Sequence, residues 1–406
     1  MKRRDIIKGL SILPFAGGVL GTLAPSESKA NPPGAKRDLF KELGVRTFIN
    51  AAGTYTFMTG SLMREEVVEA IRNTSKNFCL LDELQDKVGE KIARLTKAES
   101  AVVTAGCFSA MTLGLAGVLT GPDPRKAEKL PHLSGTDMKS EVIVQKGHNV
   151  GYSQALTNTG CSIVFVETIA DVEKMINEKT AMLWFLNIQS DKGIITHEQW
   201  VALGKKYNIP TMIDIAADVP PVSNLWKFNE MGFDLVCISG GKALRGPQSA
   251  GLLMGKKDLI AAARLSMPPR GSTIGRGMKV NKEEIIGMYV ALEHYVNYDH
   301  EKEWKEWEYR IATIQDAIRN INGITTEIKI PTLGNVTPTL HVTWNNSKVK
   351  ITTKELQDRL RNGDPSIEIV GNEEGHVSIT SWVMKTGEEK IVAKRLKEEL
   401  ANSLIS

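Results

Sequence analysis

Apolar residues change their rhythm several times along the chain, and each change marks a different kind of element. From Arg64 to Arg72, and again from Leu84 to Leu95, they recur at three- and four-residue steps, which predicts two amphipathic helices. The spacing then collapses into short, nearly continuous β-branched runs: Ala101–Thr104, Glu141–Gln145, Ser162–Val166, Ala181–Leu186, Thr211–Ile215, Leu235–Ile238 and Ala250–Met254. Strands without polar alternation have no solvent face, so such runs separated by helix-length stretches predict a largely parallel sheet covered on both sides. The stretch Ala261 to Met278, with two prolines and several glycines and arginines, reads as a loop, and Lys282–Tyr298 and Glu301–Asn320 read as helices. Strands near Thr325–Ile330, Thr339–Trp344, Ile367–Val370 and His376–Trp382 follow, with helices at Thr353–Arg361 and Glu388–Leu404. The predicted architecture is α/β: a large domain over 61–265 with a mostly parallel seven-stranded sheet, a loop and connecting helix over 266–300, and a smaller C-terminal α+β domain over 301–406.

The first thirty residues follow none of these patterns. A charged start, Lys2-Arg3-Arg4-Asp5-Ile6-Ile7-Lys8, leads into an apolar run from Leu10 to Ala24, too short to span a bilayer comfortably, and then to Ser28-Lys29-Ala30. The paired arginines resemble a twin-arginine export signal, the route taken by proteins that are already folded. Residues 1–30 are expected to be that signal peptide and 31–60 a linker and N-terminal arm, leaving a periplasmic protein without a stable membrane span. The same segment holds five basic residues (Lys2, Arg3, Arg4, Lys8, Lys29) against two acidic ones (Asp5, Glu27), so it carries +3 of the chain's formal +4. A body near +1 lacks the basic footprint of a nucleic-acid binder, and no nucleic-acid partner is expected. Cys79, Cys107, Cys161 and Cys237 have no metal-ligand spacing, and no metal is expected; Cys161 and Cys237 read as small core residues.

Three points in the strand-helix series fall at the carboxyl ends of predicted strands, where open α/β sheets place ligands. At Thr104-Ala105-Gly106-Cys107-Phe108-Ser109 a strand turns directly into a helix, whose free N–H groups offer an anion site. At Thr211-Met212-Ile213-Asp214-Ile215-Ala216-Ala217-Asp218 one carboxylate ends a buried strand. It suits a cationic ring nitrogen or, more plainly, a helix N-cap. At Ile238-Ser239-Gly240-Gly241-Lys242 an amine follows an apolar strand and two glycines; partly desolvated, such an amine forms an imine with an aldehyde.

Glycine corner, aspartate and lysine in that order resemble the fold-type I, aspartate aminotransferase-like enzymes that use pyridoxal 5'-phosphate. The wording Ser239-Gly240-Gly241-Lys242-Ala243-Leu244-Arg245-Gly246-Pro247-Gln248 is similar to the branch that holds bacterial selenocysteine synthase and D-glucosaminate-6-phosphate ammonia-lyase. Supporting segments are Asn50-Ala51-Ala52-Gly53-Thr54, Leu81-Asp82-Glu83-Leu84-Gln85, Gly147-His148-Asn149 and Gly275-Arg276-Gly277-Met278-Lys279-Val280. The resemblance implies that Lys242 is the Schiff-base lysine, that Asp214 faces the ring nitrogen and that Ala216 lies against the ring. It further implies that Gly106, Cys107, Phe108 and Ser239 hold the phosphate. His148 is either a ring or substrate contact or a surface loop histidine. Arg276 is either a clamp for a substrate oxyanion or a solvated arginine. Tyr55 either reaches the site or packs in the core.

The reaction implied is α-proton abstraction from an amino acid or amino-sugar acid by Lys242. It is followed by elimination with release of ammonia and a 2-keto acid, or by reprotonation on the other face as in a racemase. Selenium transfer onto seryl-tRNA, the third activity in this branch, fits poorly with a near-neutral, exported body. A periplasmic binder that keeps the fold without turnover is the alternative outside enzymology. A homodimer or larger assembly is implied by the resemblance.

Overall fold

The computed structural model describes residues 37–405, so the expected signal peptide lies outside the described residues. The chain divides into two compact units. The first ends at Thr47 and contains one short helix, Leu39–Glu42, whose N-terminus is capped by the Asp38 carboxylate accepting from the Lys41 N–H at 3.1 Å. Everything from Phe48 onward belongs to the second.

At the centre of the second unit seven strands form one sheet: β1 Ser100–Thr104, β2 Glu141–Gln145, β3 Ser162–Val166, β4 Thr180–Leu186, β5 Thr211–Asp214, β6 Leu235–Ser239 and β7 Gly251–Gly255. Their order is β1-β7-β6-β5-β4-β2-β3, and only β7 runs antiparallel to its neighbours. The apolar runs are therefore these strands, with ends moved by a residue. β4 shows why no alternation was visible, since all of its residues are buried. Leu183 and Phe185 enter the core on one face of the sheet, while Met182, Trp184 and Leu186 enter the core on the other. Each large side chain so placed stabilises the fold by about 1.5–3 kcal/mol, and β4 is the spine of the sheet. The outer edge of β1 is closed by a side chain: buried Gln85, from helix Leu81–Thr96, donates to the Val103 carbonyl at 2.9 Å and accepts from its N–H at 3.1 Å.

The stretch from Ala261, read as loop, begins inside a helix. Lys257–Arg264 is helical because Ala261, Ala262 and Ala263 are strong helix formers and because Ile260, Ala262 and Ala263 bury one face. That face lies against helix Gly106–Thr120, where a Cβ at Gly117 would come within 2.6 Å of the Ala263 nitrogen. The prolines and glycines take over after Arg264.

In the C-terminal part, β8 Ile324–Lys329, β9 Thr339–Trp344 and β10 His376–Thr380 form an antiparallel sheet with β9 in the middle. A separate core, including Ile311, Leu340, Val342, Leu356, Val377 and Leu396, joins it to helices His300–Ile318, Thr353–Arg361 and Glu388–Ala401. The strand expected over Ile367–Val370 is divided. Ile367–Glu368 pairs in parallel with Ile49–Asn50, and Val370 makes a single bridge to Ser378. The early segment around Ile49 and Ala51 is thus built into the C-terminal core. Among the described residues, no helix is long and apolar enough to cross a membrane.

Candidate active site

Two glycines shape the loop that carries Lys242. A Cβ on Gly240 would come within 2.8 Å of the Ala250 carbonyl oxygen, and one on Gly241 within 2.4 Å of Gln248 Cα, so only glycine permits the loop to fold back on itself. The return is held by the Gly240 N–H donating to Ala250 O at 2.8 Å and the Gly246 N–H donating to Gly240 O at 3.0 Å. A brace comes from far away in the chain. The Ser61 N–H donates to Gly241 O at 3.0 Å, the Ser61 hydroxyl donates to Lys242 O at 2.7 Å, and the Gln248 amide donates to Thr56 O at 3.0 Å. Lys242 itself is half-buried.

Beside this loop, on the neighbouring strand, lies Asp214, only 2% exposed. One carboxylate oxygen accepts from the Ala216 N–H at 2.8 Å and from the Cys107 thiol at 3.4 Å. Among the described residues no lysine, arginine or histidine forms an ion pair with it. Burial pushes its carboxyl above the ordinary aspartate value, against the Ala216 hydrogen bond and the Lys242 charge. The N-cap reading fails, because no helix begins there; the next one starts at Asn224. Cys107 is 5% exposed with its thiol turned inward to Asp214, and burial, then the neighbouring Cys237 thiol, holds it protonated. Cys161 and Cys237 are buried in the core, as the sequence suggested.

Helix Gly106–Thr120 opens on the same side. Gly106 takes φ +84°, and Ala105 before it provides no side-chain cap, so the first-turn N–H groups of Gly106, Cys107 and Phe108 have no partner in the helix or from a capping side chain. Strand β7 fits tightly under this turn: a Cβ on Gly251 would lie 2.6 Å from the Gly106 carbonyl carbon and 2.7 Å from the Cys107 nitrogen. Ser239 pairs with Gly251 and is half-buried; Ala216 is half-buried and Phe108 is 37% exposed.

His148 is fully buried, which removes its surface-loop reading. Its Nδ1 accepts from the Leu186 N–H at 3.2 Å, its ring stands edge-on to Phe185, and burial lowers its pKa to about 4, so it is neutral near pH 7. Tyr55 is 44% exposed, beside Phe57 and close in sequence to Thr56 of the brace, so it does not pack in the core. Arg276 is exposed in the turn Ile274–Gly277, and no hydrogen bond links it to the other candidates. Its loop is anchored upstream, where Arg270 and Arg264 both pair with Asp82 at 2.8 Å.

Two residues that the motif reading did not assign also stand at these strand ends. Asn187 directly follows β4, is 4% exposed, and its side-chain oxygen lies 2.7 Å from His197 Nε2. Asp218 is 2% exposed, and burial pushes its carboxyl up to about 7. A polar residue ending a wholly apolar run was the signal available for both.

The family model of SelA, L-seryl-tRNA selenium transferase, matches residues 48–352. The chain belongs to the SelA family. Among relatives of this SelA-family protein, D-glucosaminate-6-phosphate ammonia lyase of Salmonella typhimurium is 28% identical over 89% of this chain and 97% of its own. A 5'-C-glycyluridine monooxygenase-decarboxylase from a Streptomyces species is 25% identical over 89% and 92%. An L-seryl-tRNA(Sec) selenium transferase of Clostridium botulinum is 25% identical over 96% and 83%. A solved D-glucosaminate-6-phosphate ammonia-lyase superposes on 90% of this chain and 99% of its own, with a TM-score of 0.79 and 27% identity. Serine palmitoyltransferase of Sphingomonas wittichii gives a TM-score of 0.55 at 12% identity over 88% and 87%, a likeness of fold. The SelA-family chain thus has the fold-type I α/β architecture.

Proposed function

We propose that the protein is a pyridoxal-phosphate-dependent ammonia-lyase acting on an amino acid or amino-sugar acid. The observation that carries this reading is the convergence of the Lys242 amine, the Asp214 carboxylate and an uncapped helix start at the carboxyl ends of adjoining strands. The residues fit the cofactor on their own terms. A carboxylate 2% exposed and without an ion pair among the described residues calls for a cationic partner, which a pyridinium nitrogen supplies. The first-turn N–H groups at Gly106–Phe108, with the Ser239 hydroxyl, offer donors to a phosphate. The similarity to the Salmonella ammonia lyase along nearly its whole length supports the same reading.

Pyridoxal phosphate, when bound, supplies an electron sink beside the substrate's amino group. Lys242 would hold the cofactor's aldehyde carbon and then serve as the base that takes the α-proton. Asp214 would keep a proton on the ring nitrogen, with Cys107 and the Ala216 N–H fixing the carboxylate's direction. Ala216 would flank the ring and His148, neutral, would sit beside it without competing for charge. Arg276 and Tyr55 would meet the substrate's outer groups. Exposed Phe57, Leu62 and Met63, close in sequence to the brace of the Lys242 loop, together with exposed Phe78 and Leu80, support assembly as a homodimer. The Arg3-Arg4 leader supports export to the periplasm in the folded state, which would load the cofactor first.

Purified protein should absorb in the visible, and borohydride treatment followed by peptide mapping should place a pyridoxyl group on Lys242. Amino acids, amino-sugar acids and their phosphates should then be screened for ammonia release, with loss of chirality followed in parallel. Labelling elsewhere sinks the reading, and racemisation without ammonia replaces lyase by racemase. Cell fractionation of an Arg3→Lys, Arg4→Lys variant tests export; an unchanged periplasmic level overturns it.

A further inference from the structure

Asp218 lies just beyond the Asp214–Ala216 segment and is not needed by any role assigned above, yet it is nearly as buried as Asp214. Its position is held by the Asp218 N–H donating to Ile215 O at 3.1 Å and the Asn224 amide donating to its carbonyl at 2.6 Å. Its carboxylate accepts from the Gly334 N–H, which donates to Oδ1 at 3.2 Å.

Gly334 belongs to the segment between β8 and β9, in the C-terminal part of the chain. This segment reaches the strand ends of the large sheet at three points. Besides the bond to Asp218, the Asn335 N–H donates to Ala217 O at 2.7 Å, and a Cβ on Gly334 would meet Ile188 Cδ1 at 2.6 Å. Both residues take left-handed backbone angles, φ +61° and +43°, and the Thr337 hydroxyl donates back to Asn335 O at 3.2 Å. The segment is therefore shaped for this seat, and the acceptors at the seat are the two residues that follow Ala216.

We infer that Asp218 is a positioning residue for the reaction at Lys242: it holds the Gly334–Asn335 segment against the turn that follows Asp214 and Ala216, and so makes the setting of Asp214 depend on that segment being seated. The inference rests on the cofactor reading above. An amide at the same place has one acceptor oxygen and no charge, so it holds the Gly334 N–H less firmly than a carboxylate does. The charged groups whose fields reach Asp218 are Asp214 and Lys242, so a change there is felt at both.

The test compares full-length wild type, Asp218→Asn and Gly334→Ala, all with cofactor. Two readings are taken: hydrogen exchange of the peptide spanning 331–338, and the pH midpoint of the visible band. In Asp218→Asn the segment should exchange about tenfold faster, the loss of one hydrogen bond. Its band midpoint should also move by about half a pH unit or more. Gly334→Ala keeps the Asp218 carboxyl but drives a Cβ against Ile188, so exchange should quicken and the midpoint should move as they do in Asp218→Asn. Faster exchange with an unmoved midpoint in either variant would make Asp218 merely structural, and unchanged exchange in Asp218→Asn would remove the seat; either overturns the inference. Absence of a visible band in the wild type would instead bring down the cofactor reading, and this inference with it.

Discussion

Asp214 and Cys107 are 2% and 5% exposed and bonded to each other, whereas Arg276 lies open in its turn and Tyr55 is 44% exposed. The first pair is set by strand register and a helix start, elements whose own burial keeps them in place. The second pair sits on turns that the described residues leave open. On the function proposed above, the difference assigns the chemistry to the sheet and the choice of substrate to the segments around it. Changes at the buried end should alter turnover for every substrate, and changes at the exposed end should alter which substrate is used.

Lys242→Ala should give the largest effect, a loss of about 10²- to 10⁴-fold in turnover together with loss of the borohydride label; a variant that keeps both would erase the comparison. Asp214→Asn removes the buried charge while keeping shape, and kcat should fall about a hundredfold at nearly constant KM. A rise in KM alone would place Asp214 with the exposed group. For Asp218→Asn the readout is stability against pH. The folded protein holds a proton on this carboxyl up to about pH 7, whereas the unfolded chain gives it up near 3.8. That stability is fully present below 3.8 and is lost as pH rises through about 7. Its slope is on the order of 1 kcal/mol per pH unit or less. The variant should show a flatter melting-temperature profile across that window, and an identical profile would refute the assignment. Arg276→Ala and Tyr55→Phe should be the mildest, about tenfold or less and chiefly in KM, with the ratio between phosphorylated and plain substrates falling for Arg276→Ala; an equal loss on both would show that Arg276 does not select them.

The buried end was also the legible end. Continuous β-branched runs have one stable use in a chain of this length, so β1 to β7 could be read directly, and the lysine and aspartate followed from their places after those runs. The thiol of Cys107 could not be read, because its direction depends on how helix Gly106–Thr120 rotates against β5. The helix over Lys257–Arg264 was masked by the prolines and glycines downstream, although its alanines pointed the other way. Gly334 and Asn335 were out of reach for a different reason: their partners lie more than a hundred residues earlier, and no local pattern records a contact at that separation.

The brace on the lysine loop has a consequence for biogenesis. Ser61 and Lys242 are separated by 181 residues, and their contact closes only when both are available. A ribosome that has made the first half of the chain has therefore made none of the finished loop. Contacts of such long range form slowly compared with local ones. Competence to capture a ligand should accordingly arise late and abruptly, only once the chain beyond Lys242 has been made.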